Sequence, residues 1–356
     1  MQPVILPPWC GVTRLASRPP TPGRACSGPT GPLPTEVAAY PTRNSWLNMT
    51  SSMKSMSYAV GIDLGGTRTD ILVRRGSVTQ SLTTTGGNLR LDDPGRIARR
   101  IAGVLDEVLT HDAPVRLCMG AAGADDPRTK EVLARELRNA LPRLEAAEVL
   151  SDQRIAWEAA FGGTSGILVI AGTGSGCFTV DTHGREFRTG GWGPRVGDPG
   201  SGRNLGMAAL RHTLTRAESG TYSVLADGVA KHLIPGISLF GPDPVSPADL
   251  LGAIYAPDFK VSSLAPVVLE ALEEDCPAAR DVTMEESQRL ASQCKRLLDT
   301  FPGEVTRVAL MGGLALSAAY VRMLTAVFKQ QMPSCHIEVP DTTPVTGALR
   351  LVTTRT

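Results

Sequence analysis

Residues 58–73 read YAVGIDLGGTRTDILV. An apolar run from Tyr58 to Ile62 reaches an acid, Asp63. A turn of Gly65, Gly66 and Thr67 follows, and a second apolar run occupies Ile71 to Val73. The pattern predicts a β-hairpin. Glycines without Cβ let main-chain N–H groups converge on an anion, and the hydroxyls of Thr67 and Thr69 add donors. Asp63, at the strand end, can hold a hydrated divalent cation. Taken alone, the stretch reads equally well as an ordinary glycine turn.

The pattern returns at residues 167–180, ILVIAGTGSGCFTV, where an apolar strand meets Gly172, Thr173, Gly174, Ser175 and Gly176 before a second apolar strand. Two such hairpins about a hundred residues apart predict a duplicated, two-lobed site for the phosphates of ATP.

Bulk properties are consistent with this. The chain has 356 residues, 42% hydrophobic and 20% charged, which is enough for two domains with their own cores. A net charge of +1 gives no field for nucleic acid or an anionic membrane. No apolar run approaches the roughly 18 residues of a membrane helix. Seven scattered cysteines show no CxxC spacing, which opposes a zinc or local iron–sulfur site and fits reduced thiols in the cytoplasm.

Residues 1–56 differ from the rest. They are rich in Pro, Ser, Thr and Gly and carry Glu36 as their one acid. That composition predicts a disordered extension. It also fits a transit segment, or a start site placed too far upstream, since Met49, Met53 and Met56 stand just before the first strand.

From Tyr58 onward the chain reads as α/β. The hairpin at 58–73 is followed by a third run (77–84) and the loop TTGGNLR. An amphipathic helix opened by Asp92, Asp93 and Pro94 comes next, carrying Ile97, Ile101, Leu105 and Val108. A strand at 115–119 ends in Gly120-Ala121-Ala122-Gly123, and residues 128–141 read as a helix. A short strand at 148–150 ends at Ser151-Asp152, where a helix begins. Residues 167–189 form the second set of strands and 190–202 a Gly-rich loop. Residues 217–303 are mostly helical. A strand at 305–310 ends in Met311-Gly312-Gly313, residues 335–339 form a last strand, and a helix over 346–352 closes the chain. GxxxxGK[ST], a strand-to-helix GxGxxG and GxSxG are all absent, which excludes P-loop, Rossmann and nucleophile-elbow readings.

Four motifs in order carry a family resemblance: GIDLGGTRTD (61–70), VLSD (149–152), IAGTGSG (170–176) with GGWGPRVGDPGSG (190–202), and VALMGGLALS (308–317). The chain resembles the BadF/BadG/BcrA/BcrD ATPase-type family, especially its N-acetylglucosamine kinase-like branch, within the actin/sugar kinase/Hsp70 superfamily. PVTGALRLV (344–352) resembles the family's closing helix. The resemblance implies two RNase H-like lobes with the nucleotide cleft between them. The N-terminal lobe would span 58–154, with the helix 344–354 packing back onto it, and the C-terminal lobe 155–343. It implies ATP and Mg²⁺ as cofactors, a small-molecule sugar as substrate, and no nucleic-acid or membrane partner. A homodimer is left open.

Asp152 is the candidate catalytic residue. It follows a strand and opens a helix, so it faces a cleft, and phosphoryl transfer to a hydroxyl calls for a carboxylate within reach. The competing reading is a helix N-cap. Gly65, Gly66, Thr67, Arg68, Thr173, Gly174 and Ser175 are the candidate phosphate ligands. The resemblance places Gly312 and Gly313 against adenosine. Asp63 would hold Mg²⁺ through water. Asn88, Gly123 and Asp198 are candidate sugar contacts, each with a plainer alternative: a loop Asn, a tight-packing glycine and a surface Asp-Pro-Gly turn. Two positions depart from the family pattern. Arg68 stands where Lys is usual, and Pro199 replaces a carboxylate after Asp198.

The leading reading is a kinase of an amino sugar, N-acetylglucosamine or glucosamine. The alternatives are an ATPase activator bearing an intersubunit iron–sulfur cluster and a non-catalytic ATP sensor.

Overall fold

The structure, a computed structural model, describes residues 57–109, 113–193, 195–241, 244–301 and 305–354. The expectations for residues 1–56 lie outside them. Two five-stranded sheets organise the chain. The first holds β1 (Tyr58–Leu64), β2 (Arg68–Arg75), β3 (Val78–Thr85), β4 (Val115–Ala121) and β5 (Leu144–Ser151), in the order β3-β2-β1-β4-β5. The second holds β6 (Ile167–Ala171), β7 (Ser175–Val180), β8 (Glu186–Gly190), β9 (Arg307–Met311) and β10 (His336–Glu338), in the order β10-β9-β6-β7-β8.

These are the same topology. In each sheet the first strand pairs antiparallel with the second and the second with the third. On its other edge the first strand pairs parallel with the fourth, and the fourth with the fifth. The repeat legible in the two glycine turns is thus a repeat of whole sheets, the expected pair of RNase H-like lobes.

Alternation positions the first hairpin. Thr69, Ile71 and Val73 on β2 face inward, and Asp63 and Asp70 are cross-strand partners. Helix α1 (Pro94–Asp106) starts where the sequence predicts. Asp93 accepts from the Arg96 N–H at 2.8 Å, Pro94 occupies the first turn, and Ile97, Ile101 and Leu105 are buried. Helix α2 (Pro127–Ala140) is capped in the same way by Asp126. Strand β5 begins at Leu144, four residues before the predicted strand. The segment Glu145–Glu148 carries no apolar alternation to announce it, and its pairing with β4 supplies the order.

Helix α3 (Asp152–Phe161) runs from the first sheet to the second and ends at Gly162 in the left-handed conformation. The helical region is resolved into α4 (Gly202–Ser219), α5 (Val224–Leu233), α6 (Pro247–Ile254), α7 (Ala265–Glu273) and α8 (Pro277–Thr300). Helix α9 (Ala318–Gln331) links β9 to β10. The terminal helix α10 (Pro344–Thr354) returns to pack on α3, β1 and β4. It comes so close that a Cβ at Gly347 would overlap the Ile155 carbonyl. Each sheet has its own apolar core, one around Ile62, Ile101, Met119 and Leu137, the other around Leu205, Leu290, Leu310 and Tyr320. Among the described residues no helix is long and apolar enough to cross a membrane.

Candidate active site

The carboxyl ends of β1, β4 and β5 deliver three aspartates to one neighbourhood. Asp63 is the penultimate residue of β1, Asp125 follows β4, and Asp152 follows β5. Ser151, not Asp152, caps α3: the Ser151 hydroxyl oxygen accepts from the Arg154 N–H at 3.1 Å. Asp152 therefore lies one residue inside the helix, where its Oδ1 accepts from the Gln153 N–H at 2.8 Å. Burial lifts the Asp152 carboxyl above its usual range. The charge of Asp125 adds to that, while N–H donation from Gln153 opposes it. Asp63 is pushed to about 7, chiefly by burial and then by the charges of Asp152 and Asp70. Asp70 itself pairs with Arg68 at 2.7 Å.

The first glycine turn is pinned from both sides. The Gly65 N–H donates to the Arg68 carbonyl at 3.0 Å, and Gly86 and Gly87 donate to the carbonyls of Thr67 and Gly65. Gly66, Thr67 and Arg68 are exposed at its rim. Thr69 is a correction. Its side chain is buried on the inner face of β2 and donates to the Thr85 carbonyl at 2.8 Å, so its hydroxyl is not offered to an anion.

The second turn is built against helix α4. Gly202 and Arg203, at the start of that helix, donate to the carbonyls of Gly172 and Thr173. Thr173 is exposed at the tip. Ser175 differs from the expectation, because its buried hydroxyl donates to the Pro199 carbonyl at 2.6 Å and braces the Gly-rich loop. Asp198 lies under this turn, with Oδ2 in the space that a Cβ on Gly174 would enter. It is 4% exposed, so it is not the surface turn that Asp-Pro-Gly suggested. Its backbone has φ of 68°. Gly193 and Ser175 donate to its carboxylate from the main chain, Oδ1 is left without a partner, and burial raises its pKa.

Met311-Gly312-Gly313 abuts the same turn. Gly312 has φ of 108°, and a Cβ there would overlap the Ala171 carbonyl oxygen. Gly313 approaches Gly172. Thr173, Gly174, Gly312, Gly313 and Asp198 thus converge at the end of the second sheet. Asp63, Asp152 and the first turn converge at the end of the first.

Asn88 and Gly123 face each other. A Cβ at Gly123, whose φ is 79°, would strike the Asn88 Oδ1. That oxygen accepts from the Arg90 N–H at 2.9 Å, and the Asn88 N–H donates to Asp92 at 2.7 Å. The amide NH₂ of Asn88 remains as its donor. Gly123 is explained by this approach and by its backbone conformation.

Sequence reading missed Asp125, Arg90, Arg188 and Gln153. Arg90 and Arg188 share the Asp125 carboxylate, Arg188 at 2.6 Å from β8 of the second sheet. The Gln153 side chain reaches toward Gly176 and Gly191. These are contacts between distant segments with no local signature. The described cysteines 118, 177, 276, 294 and 335 are all buried, so none of them presents a surface thiolate for a shared cluster. Among the described residues no three His, Cys, Asp or Glu side chains are placed together so as to hold a metal ion by themselves.

Two sheets of one topology, each carrying a glycine turn, define a two-lobed protein of the actin-like fold. The family model for the BadF/BadG/BcrA/BcrD ATPase family matches residues 60–351, and the chain belongs to that family. A similar protein is the N-acetylmuramic acid/N-acetylglucosamine kinase of Clostridium acetobutylicum, 25% identical over 280 residues, covering 75% of this chain and 88% of that one. The N-acetyl-D-glucosamine kinase of Dictyostelium discoideum is 27% identical over 170 residues, 44% of this chain and 53% of its own. A solved structure from Chromobacterium violaceum, a proposed N-acetylglucosamine kinase, superposes with a TM-score of 0.65 at 24% identity, covering 83% of this chain and 98% of that one.

Proposed function

We propose that the protein transfers the terminal phosphoryl group of ATP to a hydroxyl of an amino sugar, with N-acetylglucosamine the leading acceptor and glucosamine next. The two similar kinases act on sugars of this class. The observation that carries the reading is the position of Asp152. It is a half-buried carboxylate that the adjacent Ser151 relieves of capping, near enough to Asp63 for the two charges to interact.

Asp152 accepts the hydroxyl proton as the acceptor oxygen attacks phosphorus. Its raised pKa makes it a stronger base than an exposed carboxylate while leaving it ionised above its own pKa. The turn at Gly65, Gly66 and Thr67 and the turn at Thr173 and Gly174 approach the phosphates from opposite lobes. Gly312 and Gly313 leave room for adenosine. Arg68 would turn from Asp70 to phosphate, an exposed pair that exchanges at little cost. The Asn88 amide donates to the acceptor. Asp198 supports the second turn from below, where its carboxylate accepts the Gly193 and Ser175 N–H groups.

Magnesium fits the residues present. Asp63 is a half-buried carboxylate with Asp152 and Asp70 adding negative charge, and it would hold the ion through water, with the remaining ligands from the nucleotide phosphates and water. The ion would neutralise charge on the transferred group. Closure of the lobes excludes water and limits wasteful hydrolysis. A cytoplasmic location is part of this reading.

The test is product identification. Incubation with ATP, Mg²⁺ and a panel including N-acetylglucosamine, glucosamine, N-acetylmuramic acid and glucose, read by ³¹P NMR and mass spectrometry, is expected to yield one preferred sugar phosphate. Phosphate release with no sugar phosphate from any acceptor contradicts the proposal.

A further inference from the structure

The Asp125 carboxylate is gripped from both lobes. Its Oδ2 takes Arg90, from the loop after β3 in the same lobe, and its Oδ1 takes Arg188 Nη1 at 2.6 Å, from edge strand β8 of the other. Burial works against ionisation of Asp125, yet the two arginines hold its carboxyl below the usual range. The bridge spans a cleft of about 170 Å³ whose wall includes Ser151 and Gln153, the neighbours of Asp152 on either side. Its near end is fixed to the acceptor loop, since Arg90 is also the residue whose N–H holds Asn88 Oδ1. Its far end is fixed as well. Thr189, next to Arg188, donates its hydroxyl to the Gln293 carbonyl at 3.1 Å and accepts from Gln293 Nε2 at 3.2 Å, which ties β8 to helix α8.

We propose that Arg188 is a positioning residue for phosphoryl transfer, closing the acceptor side of the cleft by crossing from the second lobe to Asp125. The inference rests on the kinase reading above. The side chains of Arg188, Arg90 and Asp125 are 53%, 62% and 35% exposed. A pair this exposed is weak and reversible, which suits a contact made and broken each turnover better than a permanent strut. The Arg188 guanidinium bonds to Asp125, so its effect passes through Asp125 and Arg90 to the loop that holds Asn88. A lobe left ajar on this side weakens acceptor binding and admits water to ATP.

The experiment compares wild type, Arg188→Ala, Arg188→Lys, Asp125→Asn and the Arg188→Ala/Asp125→Asn double variant. It measures KM for acceptor, KM for ATP and the ratio of ADP released to sugar phosphate formed. Arg188→Ala is expected to raise the acceptor KM roughly tenfold with ATP KM nearly unchanged, the size of effect a small misplacement produces. The ADP-to-product ratio rises above that of wild type. Arg188→Lys recovers most of the loss, and the double variant is no worse than the poorer single one. Unchanged acceptor KM and coupling ratio in Arg188→Ala overturn the proposal. So does an additive double variant. If wild type phosphorylates no sugar, the kinase reading fails first, and the bridge is then judged by X-ray scattering of the ATP-bound protein. A larger radius of gyration in Arg188→Ala than in wild type supports closure through Arg188, and equal radii overturn it.

Discussion

Asp63 at the end of β1 and Asp152 at the start of α3 lie close enough for the charge of Asp152 to oppose ionisation of Asp63. Together with burial, the larger cause, this lifts the Asp63 carboxyl from 3.8 to about 7. Two half-buried carboxylates this close oppose each other's ionisation, and perturbed groups of this kind gather at functional sites.

Stability without ligand follows from this. The folded protein holds a proton on Asp63 that the unfolded chain has already released, between about pH 4 and pH 7. The stabilising contribution is fully present below pH 4 and is lost as pH rises through 7. Denaturant titrations of Mg²⁺-free protein are expected to show this loss, and Asp63→Asn is expected to remove that component and gain about 2–4 kcal/mol at pH 8. A variant whose pH dependence matches wild type would show that Asp63 is not the responsible group.

At Asp198 the amide and the alanine variants separate. Asn accepts from the Gly193 and Ser175 N–H groups as Asp does, and tolerates the positive φ. Alanine leaves both donors without their acceptor and is strained at φ of 68°. Thermal unfolding is expected to place Asp198→Ala about 2 kcal/mol below wild type and Asp198→Asn within about 1 kcal/mol. Equal losses would mean that the hydrogen bonds to this carboxylate do not brace the second turn.

Gly312→Ala tests the adenosine side. The added Cβ overlaps the Ala171 carbonyl oxygen at a backbone angle that disfavours L-residues. Strain of about 1–3 kcal/mol is expected, with displacement of the β9 end from the second turn. ATP affinity, measured by calorimetry, falls by at least tenfold while acceptor affinity changes little. Loss of acceptor affinity alone would move adenosine away from Gly312.

Much of this is legible in the sequence. The two glycine turns announced the duplicated lobes because hairpin turns declare themselves locally, and the sheets repeat strand for strand. Thr69 was misread although the signal was present, since strand alternation puts it on the inward face with Ile71 and Val73. Ser151 and Asp152 are both good caps, and only backbone geometry distinguishes them. The surface-turn alternative at Asp198 fails because the residue packs beneath the turn at Gly174, twenty-four residues earlier, which Asp-Pro-Gly does not announce. The Asp125–Arg188 pair spans 63 residues, and no local pattern encodes it.

The most direct test of the account is acceptor-dependent ADP release by wild type and Asp152→Asn, with ATP and Mg²⁺ at saturation and the preferred sugar varied. The account predicts that turnover in wild type requires the sugar and falls by about 10²–10⁴ in Asp152→Asn, with ATP affinity nearly unchanged. Equal, sugar-independent ADP release by both proteins would contradict it.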